Sequence, residues 1–338
     1  MLDFSVNTNL FGPPHSLLKV LKDNAHLIAN YPDHSNTDIL LSLNNFLGVS
    51  TKNISLGVGS TQILFDIPKM LSYKRAVVIV PTFWEYTTFN TIFKKKLKKV
   101  VLHAQNGFAP DYDVIQKTIK PDDCVFICNV NNPTSVLYNK QKLLKLVQSN
   151  PKVHFIVDET YLLFLVDFEK HSLAKKAVDY QNLHVVMSLS KFFSIPAVRL
   201  GVMVTDEPTV EIYNRQFHIP YSMSPFSTIA LKHLLDGNDF VDRSRTFYEK
   251  EGIRLFNVLS GKFNGKLQCF KPEGCFILVQ ILTGQHSKEI KEALKKRGIL
   301  VRGGYELLDI GDDWLRFSIR SKKDNDILIR ELDWVLKK

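Results

Sequence analysis

A lysine with serines before it and two phenylalanines after it is the strongest candidate for covalent chemistry in this sequence. Ser188 and Ser190 precede Lys191, and Phe192 and Phe193 follow it, at the end of an apolar segment. Burial disfavours the charged form of a lysine and lowers its pKa, which makes the amine a nucleophile able to form a Schiff base. The alternative is a lysine at the edge of the fold, with its stem in apolar contact and its ammonium group in water.

Two more apolar segments end in polar side chains that could bind a ligand. Asp158 follows the segment at 153–157, with Tyr161 three residues later, and Asn132 precedes Pro133 after the segment at 124–129. A buried carboxylate is costly unless a cation or hydrogen-bond donors satisfy it, so Asp158 has either a ligand role or a role as a helix cap. An Asn-Pro pair is also typical of a simple turn.

A glycine-rich turn from Gly57 to Thr61 connects an apolar segment to a segment of helical period. Such a turn presents free backbone N–H groups and the positive end of the helix dipole, which suit a phosphate group. The third glycine of a dinucleotide-binding fingerprint and the Lys-Ser/Thr pair of a P-loop are both missing from it. A simple turn with Ser60 as the helix N-cap explains the same residues.

The elements that must position these residues are strands. Short segments rich in Val, Ile and Phe alternate with segments of helical period and predict strands at 76–80, 100–103, 124–129, 153–158, 184–188 and 200–205. The alternation predicts an α/β fold, in which a large domain is built on a mostly parallel central sheet flanked by helices. Ligands of such sheets bind at the carboxyl ends of the strands, where the candidate residues lie.

Beyond residue 223 the pattern changes to that of a smaller α+β domain, with strands near 267–270, 275–281, 299–302 and 314–319. We predict an N-terminal segment at residues 1–23, a large domain at 24–223 and a small C-terminal domain at 224–338. The length of 338 residues agrees with roughly two domains at about 150 residues each.

Composition and charge narrow the class of protein. The chain has 45% hydrophobic residues, but no apolar run approaches the roughly 20 residues of a membrane-spanning helix, and no signal peptide opens it, so we expect a cytoplasmic protein that is not membrane-bound. The four cysteines lack the spacing of metal ligands, so we expect no metal site. Despite a net charge of +10 we do not expect nucleic-acid binding, because we interpret the lysine run at 94–99 as the solvated end of a helix.

The order and spacing of these motifs resemble the fold-type-I pyridoxal-phosphate-dependent enzymes of the aminotransferase class I and II family. The resemblance covers essentially the whole chain, from Asp3 to Asn325, and is greatest to the branch of histidinol-phosphate aminotransferases and threonine-phosphate decarboxylases. It implies the fold of that group, with pyridoxal 5'-phosphate as the cofactor.

The resemblance also implies roles around the cofactor ring. Lys191 would carry the cofactor as a Schiff base and move the proton at the substrate Cα, and Asp158 would pair with the ring nitrogen. Tyr161 and Asn132 would donate hydrogen bonds to the ring oxygen. The aromatic residue stacked on the ring would be one of three neighbours, with the first preferred: Phe83, Trp84 or Tyr86.

For the cofactor phosphate, the resemblance implies a set of hydroxyl groups and one guanidinium. These residues are Ser60, Thr61, Ser188, Ser190 and Arg199. A guanidinium suits this position because its planar fork binds two phosphate oxygens at once.

The substrate and the partner subunit would be contacted by residues outside the strand ends. Arg316 matches the family arginine that binds the substrate carboxylate, and Arg302 lies where this branch has a second substrate-binding arginine. Tyr31 matches a tyrosine that reaches the cofactor phosphate of the partner subunit, which implies a homodimer. The chain departs from the family pattern near the substrate, with Ser135 in place of a glycine and Leu10 in place of a proline.

Two reactions fit the same cofactor residues. We expect an aminotransferase that acts on an anionic amino acid or amine, including a phosphorylated one, with a 2-oxo acid as the acceptor, because transamination is the commoner reaction in the family. The alternative is a phosphoamino-acid decarboxylase, which Arg320 and the segment from Asp3 to Asn7 favour. A third possibility is a scaffold of this fold that has lost catalysis, or a basic binding module, although Lys191, Asp158 and Arg199 are all present.

Overall fold

The computed structural model describes residues 1–217, 219–235, 239–307 and 309–336. The strands are β1 Leu2–Asp3, β2 Ile54–Val58, β3 Arg75–Val80, β4 Lys96–Val101, β5 Asp123–Cys128, β6 His154–Asp158, β7 Leu183–Ser188, β8 Leu200–Val204, β9 Leu267–Cys269, β10 Phe276–Ile281, β11 Ile299–Leu300, β12 Arg302–Gly303 and β13 Trp314–Ser318. The helices are α1 His15–Asp23, α2 Thr37–Leu47, α3 Ser60–Met70, α4 Glu85–Ile92, α5 Tyr112–Thr118, α6 Lys140–Ser149, α7 Phe168–His171, α8 Ala174–Ala177, α9 Leu189–Phe192, α10 Glu207–Phe217, α11 Pro225–Leu235, α12 Phe240–Lys262, α13 Ser287–Lys296 and α14 Lys322–Val335. None of the helices within these ranges is long and apolar enough to cross a membrane.

The central sheet has seven strands in the order β2-β8-β7-β6-β5-β3-β4. Strands β3 to β7 pair in parallel, and β8 runs antiparallel to both of its neighbours, β2 and β7. The inner strands are buried on both faces because their Val, Ile and Phe side chains face helices on either side. The predicted α/β fold with a mostly parallel central sheet is confirmed.

The C-terminal part of the chain forms a second, antiparallel sheet of four strands in the order β12-β13-β10-β9. Helices α12 and α13 pack near this sheet, which makes it the smaller α+β unit that the sequence predicts. The start of the chain joins it, since β1 pairs with β11 through Leu2 and Ile299. The division of the chain at residues 23 and 223 stays a prediction.

The interpretation of the lysine run as the end of a helix is wrong. Helix α4 ends at Ile92, and the lysines from Lys96 onward lie in β4 at the edge of the central sheet, four residues before the predicted start of that strand. Five of the six residues of β4 are exposed. Charged side chains on an edge strand disfavour pairing with a strand of another molecule, so the position of the run explains its composition.

A pair of histidines, one buried and one half-buried, lies at the amino ends of two central strands, on the side of the sheet away from the strands' carboxyl ends. Nδ1 of His154 in β6 lies 3.1 Å from Nε2 of His184 in β7, and Nδ1 of His184 lies 2.9 Å from the hydroxyl oxygen of Thr205. His184 is fully buried. Burial, together with the neighbouring His154, lowers the pKa of His184 to about 3.

This histidine pair makes the fold sensitive to acid. The pKa of His184 is lower in the folded chain than the value of about 6.5 in an unfolded one, so the unfolded state binds more protons between these values and gains stability as the pH falls. We expect the apparent melting temperature of His184→Gln to fall less steeply than that of the native protein between about pH 6.5 and about pH 4. His26→Gln, at an exposed histidine, is the matched control and should keep the native slope. Equal slopes in all three proteins would refute this role.

Candidate functional site

The carboxyl ends of the central strands surround a cavity of about 210 Å³. It is lined by eleven of the residues that the sequence singles out: Ser60, Thr61, Phe83, Tyr86, Asn132, Asp158, Tyr161, Ser188, Ser190, Lys191 and Arg199. Four further residues complete the lining: Glu85, Cys128, Thr160 and Pro196. The parallel arrangement of the strands thus collects side chains that are far apart in the sequence.

The turn between β2 and α3 forms one end of the cavity. The N-cap of α3 is Gly59, with φ at +77°, and the helix begins at Ser60, so Ser60 is not the N-cap. A Cβ atom on Gly201 of β8 would overlap the backbone of Gly59 and Ser60, and one on Gly59 would overlap the guanidinium of Arg199. Only glycine at these two positions lets β8 and Arg199 approach the helix N-terminus, where free N–H groups and the helix dipole favour an anion.

Arg199 holds its guanidinium beside this helix N-terminus. Its backbone carbonyl accepts a hydrogen bond from the Gly59 N–H at 3.0 Å. Within the described part of the chain its side chain makes only two long hydrogen bonds, to the carbonyl oxygens of Val58 at 3.4 Å and Pro196 at 3.5 Å. Backbone carbonyls therefore position the guanidinium of Arg199, and its remaining N–H groups can donate hydrogen bonds to an anionic ligand.

Lys191 lies in the short helix α9, directly after β7, and is half-buried in the cavity. Burial lowers the pKa of its ammonium group, and the nearby guanidinium groups of Arg316 and Arg199 add to that effect. The backbone carbonyl of Lys191 accepts a hydrogen bond from the Asn9 N–H at 2.9 Å, so the N-terminal segment packs against α9. The hydroxyl oxygen of Ser190 is buried and has no hydrogen-bond partner among the described residues.

Asp158 lies at the end of β6 and is buried. Its carboxylate accepts a hydrogen bond from the Tyr86 hydroxyl at 2.8 Å and one from the Thr160 N–H at 3.0 Å. Burial raises the pKa of Asp158, and these two hydrogen bonds oppose that shift. The carboxylate closes a local turn at Thr160 and caps no helix, because the next helical turn begins only at Leu162.

Three aromatic residues were candidates for stacking on a ligand ring, and the structure separates them. Trp84 is not among the residues that line the cavity, and 49% of its surface is exposed. Tyr86 lines the cavity, but its hydroxyl is bound to Asp158. Phe83 also lines the cavity and packs edge-on against Tyr86, with ring centroids 5.6 Å apart. Phe83 is thus the lining aromatic that carries no polar contact.

A buried arginine connects the C-terminal sheet to the cavity. Nη1 of Arg316 in β13 donates a hydrogen bond to the Asn132 side-chain oxygen at 2.6 Å, and Nη2 donates to the Ser5 carbonyl at 2.7 Å. Its Nε is buried and has no hydrogen-bond partner within the described ranges. Beside it, the Tyr161 hydroxyl lies 3.5 Å from the Asn7 amide nitrogen.

Four candidates are not among the residues that line the cavity of their own chain: Arg302, Arg320, Tyr31 and Arg316, which reaches it through Asn132. Arg302 in β12 is paired with Arg316 in the neighbouring strand β13. Its side chain donates a hydrogen bond to the Glu306 carboxylate at 3.2 Å. Arg320 donates to the Asp3 carbonyl at 3.0 Å. Tyr31 is 86% exposed.

Among the cavity residues, Glu85, Cys128, Thr160 and Pro196 were not singled out as ligand-binding candidates. Two of them could have been found from their position in the sequence. Thr160 lies between the candidates Asp158 and Tyr161, and Glu85 directly follows Phe83 and Trp84. All four cysteines are free.

The departure at Ser135 has a structural counterpart. Its φ is +58°, in the left-handed region that favours glycine, and its hydroxyl oxygen accepts a hydrogen bond from the Glu273 N–H at 3.1 Å. The serine thus links the loop after β5 to the C-terminal part of the chain.

A family model for class I and II aminotransferases matches residues 1–332. The chain belongs to the aminotransferase class I and II family. Enzymes of this family depend on pyridoxal 5'-phosphate, so this is a pyridoxal-phosphate-dependent enzyme. The cavity of the enzyme fits that group, because it combines a half-buried lysine, a buried carboxylate and a buried serine hydroxyl without a partner among the described residues.

Individual relatives of the enzyme come from both branches of the predicted resemblance. The threonine-phosphate decarboxylase of Salmonella typhimurium is 26% identical over 340 residues, which are 99% of this chain and 91% of the relative. The crystal structure of the histidinol-phosphate aminotransferase from Clostridium acetobutylicum is 26% identical, with a TM-score of 0.91, and the match covers 100% of this chain and 99% of that one. The chain also matches 38% of the length of the adenosylcobalamin biosynthesis bifunctional protein CobDQ of Leptospira interrogans, with 24% identity over 97% of this chain.

The close approach of β8 to the turn before α3 gives the enzyme a testable weak point. In Gly201→Ala the new methyl group would overlap the Gly59 and Ser60 backbone, so we expect the folded state to lose about 1–3 kcal/mol of stability. Cofactor affinity should fall as well, because the turn must shift. The measurements are the free energy of unfolding and a cofactor titration followed by visible absorbance.

The matched control is Gly261→Ala in α12, where a Cβ atom would meet nothing within 4 Å. Alanine favours a helix more than glycine, so this variant should keep or slightly increase the stability of the enzyme. Equal effects of the two substitutions would contradict the packing requirement at Gly201.

Proposed function

We propose that this enzyme is an aminotransferase that exchanges the amino group of an anionic amino acid or amine, including a phosphorylated one, with a 2-oxo acid. The carrying observation is the half-buried amine of Lys191 in one cavity with the buried carboxylate of Asp158, next to the buried guanidinium of Arg316. These are a nucleophile, a partner for a cationic ring and a site for a substrate carboxylate.

The cofactor phosphate is assigned to the end of the cavity at the N-terminus of α3. The backbone N–H groups and the hydroxyls of Ser60 and Thr61 would bind it there, with Arg199 as the guanidinium fork. The hydroxyls of Ser188 and Ser190 complete the set, and the unpartnered Ser190 oxygen supports the presence of a polar ligand.

The cofactor ring is assigned to the space between Phe83 and the carboxyl ends of β6 and β7. Asp158 would pair with the ring nitrogen, and Tyr161 and Asn132 would donate hydrogen bonds to the ring oxygen. When bound, pyridoxal 5'-phosphate supplies an electron sink for the bonds at the substrate Cα.

Lys191 would act twice, first as the nucleophile that binds the cofactor and then as the base that moves the proton at the substrate Cα. A base must be neutral before it accepts a proton, and burial and the nearby arginines lower the pKa of Lys191 in that direction.

The substrate carboxylate is assigned to Arg316, whose buried Nε has no partner among the described residues. Arg302 lies beside it across two strands, so a second anionic group of the substrate would enter a positive field. Both assignments agree with a phosphorylated or dicarboxylic substrate.

A decarboxylase of a phosphoamino acid is the second candidate. The observation that favours it is Arg320, which donates a hydrogen bond to the Asp3 carbonyl and so contacts the same N-terminal segment as Arg316. The threonine-phosphate decarboxylase relative, with 26% identity over 99% of this chain, is consistent with it.

We further propose that the enzyme works as a homodimer in the cytoplasm. Apolar side chains of Ile28, Tyr31, Ile219 and Tyr221 are exposed on the chain, which is typical of an interface. Tyr31 would reach the cofactor phosphate in the partner's cavity. The four free cysteines suit a reducing compartment.

The enzyme purified with its cofactor should show the visible absorbance of lysine-bound pyridoxal phosphate, and Lys191→Ala should lose it. The lysine amine is the only group assigned to covalent cofactor binding, so no other residue should restore the absorbance. A native protein that stays colourless after addition of pyridoxal 5'-phosphate would refute the proposed function.

The same preparation separates the two reactions when candidate amino acids are offered one at a time. Release of a 2-oxo acid without CO₂ indicates transamination, and release of CO₂ without a need for an acceptor indicates decarboxylation. We expect the first outcome, with Lys191→Ala inactive as the control.

Mixing two inactive variants tests whether Tyr31 serves the partner's cavity. In a mixed dimer of Lys191→Ala and Tyr31→Ala subunits, one cavity carries both changes and the other carries neither. We therefore expect activity to appear on mixing after subunit exchange, although each variant alone is impaired. No recovery in dimers shown to be mixed would place Tyr31 outside the partner's site.

A further inference from the structure

Glu85 brings a carboxyl group to the end of the cavity where an anion is expected. It is the first residue of α4 and lines the cavity together with Ser60, Thr61 and Arg199. Its Oε2 is fully buried and has no hydrogen-bond partner among the described residues. Burying a carboxyl oxygen without a hydrogen-bond partner is energetically costly. We therefore infer that a bound ligand supplies the partner of this oxygen.

The charges around Glu85 are mixed. Burial raises the pKa of its carboxyl group, and the negative charge of Asp158 acts in the same direction. A hydrogen bond with the Thr61 side chain and the positive charges of Arg199 and Lys191 act against it. The two cations lessen the shift without reversing it, so Glu85 binds a proton more readily than an exposed glutamate does.

A bound phosphate would change this balance. Two negative groups in one cavity repel each other, and the repulsion is stronger in these low-dielectric surroundings than in water. Neutralising the carboxylate removes that repulsion. A protonated carboxyl group also becomes a hydrogen-bond donor, and a phosphate oxygen is a strong acceptor.

We propose that Glu85 takes up one proton from solvent when the cofactor binds and donates it as an O–H hydrogen bond to the cofactor phosphate. The step forms one O–H bond on the carboxylate with a proton drawn from solvent, and it is separate from the covalent attachment of the cofactor to Lys191. The inference depends on the proposed placement of the phosphate at Ser60 and Thr61. Glu85 is then a cofactor-binding residue that couples cofactor affinity to pH, with weaker binding as the pH rises.

The experiment measures proton uptake when apoenzyme binds pyridoxamine 5'-phosphate, a probe that cannot form a bond with Lys191. Calorimetric titrations in buffers of different ionisation heat give the number of protons taken up per site at each pH. Glu85→Gln keeps the shape of the side chain but cannot titrate. Glu292→Gln, at an exposed position on α13, is the matched control. Pyridoxamine, which lacks the phosphate, is the matched probe.

At pH values at which Glu85 is ionised in the apoenzyme, we expect the native protein to take up close to one more proton per site than Glu85→Gln does. Glu292→Gln should behave like the native protein. The dissociation constant of the native protein should rise, relative to that of Glu85→Gln, by up to tenfold per pH unit. With pyridoxamine the difference between the proteins should vanish.

Equal proton uptake by the native protein and Glu85→Gln would overturn the inference, and so would a difference that persists with pyridoxamine. If Glu85→Gln does not fold, infrared difference spectra of the native protein give the answer. A protonated carboxyl band must appear with pyridoxamine 5'-phosphate and not with pyridoxamine, and its absence overturns the inference. Failure of the native protein to bind pyridoxamine 5'-phosphate at all would instead overturn the placement of the cofactor.

Discussion

The buried guanidinium of Arg316 is the interaction on which the rest of the site depends. Burying a charged group costs several kcal/mol unless hydrogen bonds compensate for the lost water. Arg316 obtains them from Asn132, in the loop after β5, and from the Ser5 carbonyl in the N-terminal segment. The central sheet, the C-terminal sheet and the start of the chain are therefore joined at one side chain. The guanidinium also acts on the cavity directly, because its charge adds to the effect of burial in lowering the pKa of Lys191.

The charged groups of the cavity influence one another through the same low-dielectric surroundings. Burial shifts the pKa of Lys191 downward and those of Asp158 and Glu85 upward, so each group is moved toward its neutral form. The hydrogen bond from Tyr86 partly opposes the shift of Asp158. Such a site is poised to exchange protons when an anion enters. Part of the net charge of +10 lies near the cavity, since Arg199 lines it and Arg316 contacts the lining residue Asn132, while β4 carries lysines on a sheet edge.

The sequence predicts the parts of this structure that depend on local patterns. Buried parallel strands are recognisable because both faces are apolar, and the predicted ends of β5, β6 and β7 differ from the observed ones by at most one residue. Strand β4 was misplaced because an exposed edge strand of lysines lacks that signal. Glu85 was missed because an acid in the first turn of a helix is commonly explained by the helix dipole. Only the packing of α4, which buries Tyr86 against Phe126 of β5, brings Glu85 to the cavity. The pair of His154 and His184 depends on the pairing of β6 with β7, which no local pattern contains.

Lys191, Asp158 and the phosphate-binding residues suit either of the two proposed reactions, so the choice between them depends on which bond at the substrate Cα stands perpendicular to the cofactor ring. In either proposed function that orientation would be set by the arginines that bind the carboxylate. The N-terminal segment contacts two arginines of the C-terminal part of the chain, because the Ser5 carbonyl accepts a hydrogen bond from Arg316 and the Asp3 carbonyl accepts one from Arg320. The segment is in turn held by β1 on β11 and by the bond from the Asn9 N–H to the Lys191 carbonyl. A change in this segment would move these arginines and the lysine backbone together, so we expect it to affect reaction choice although its residues lie far from Lys191 in sequence.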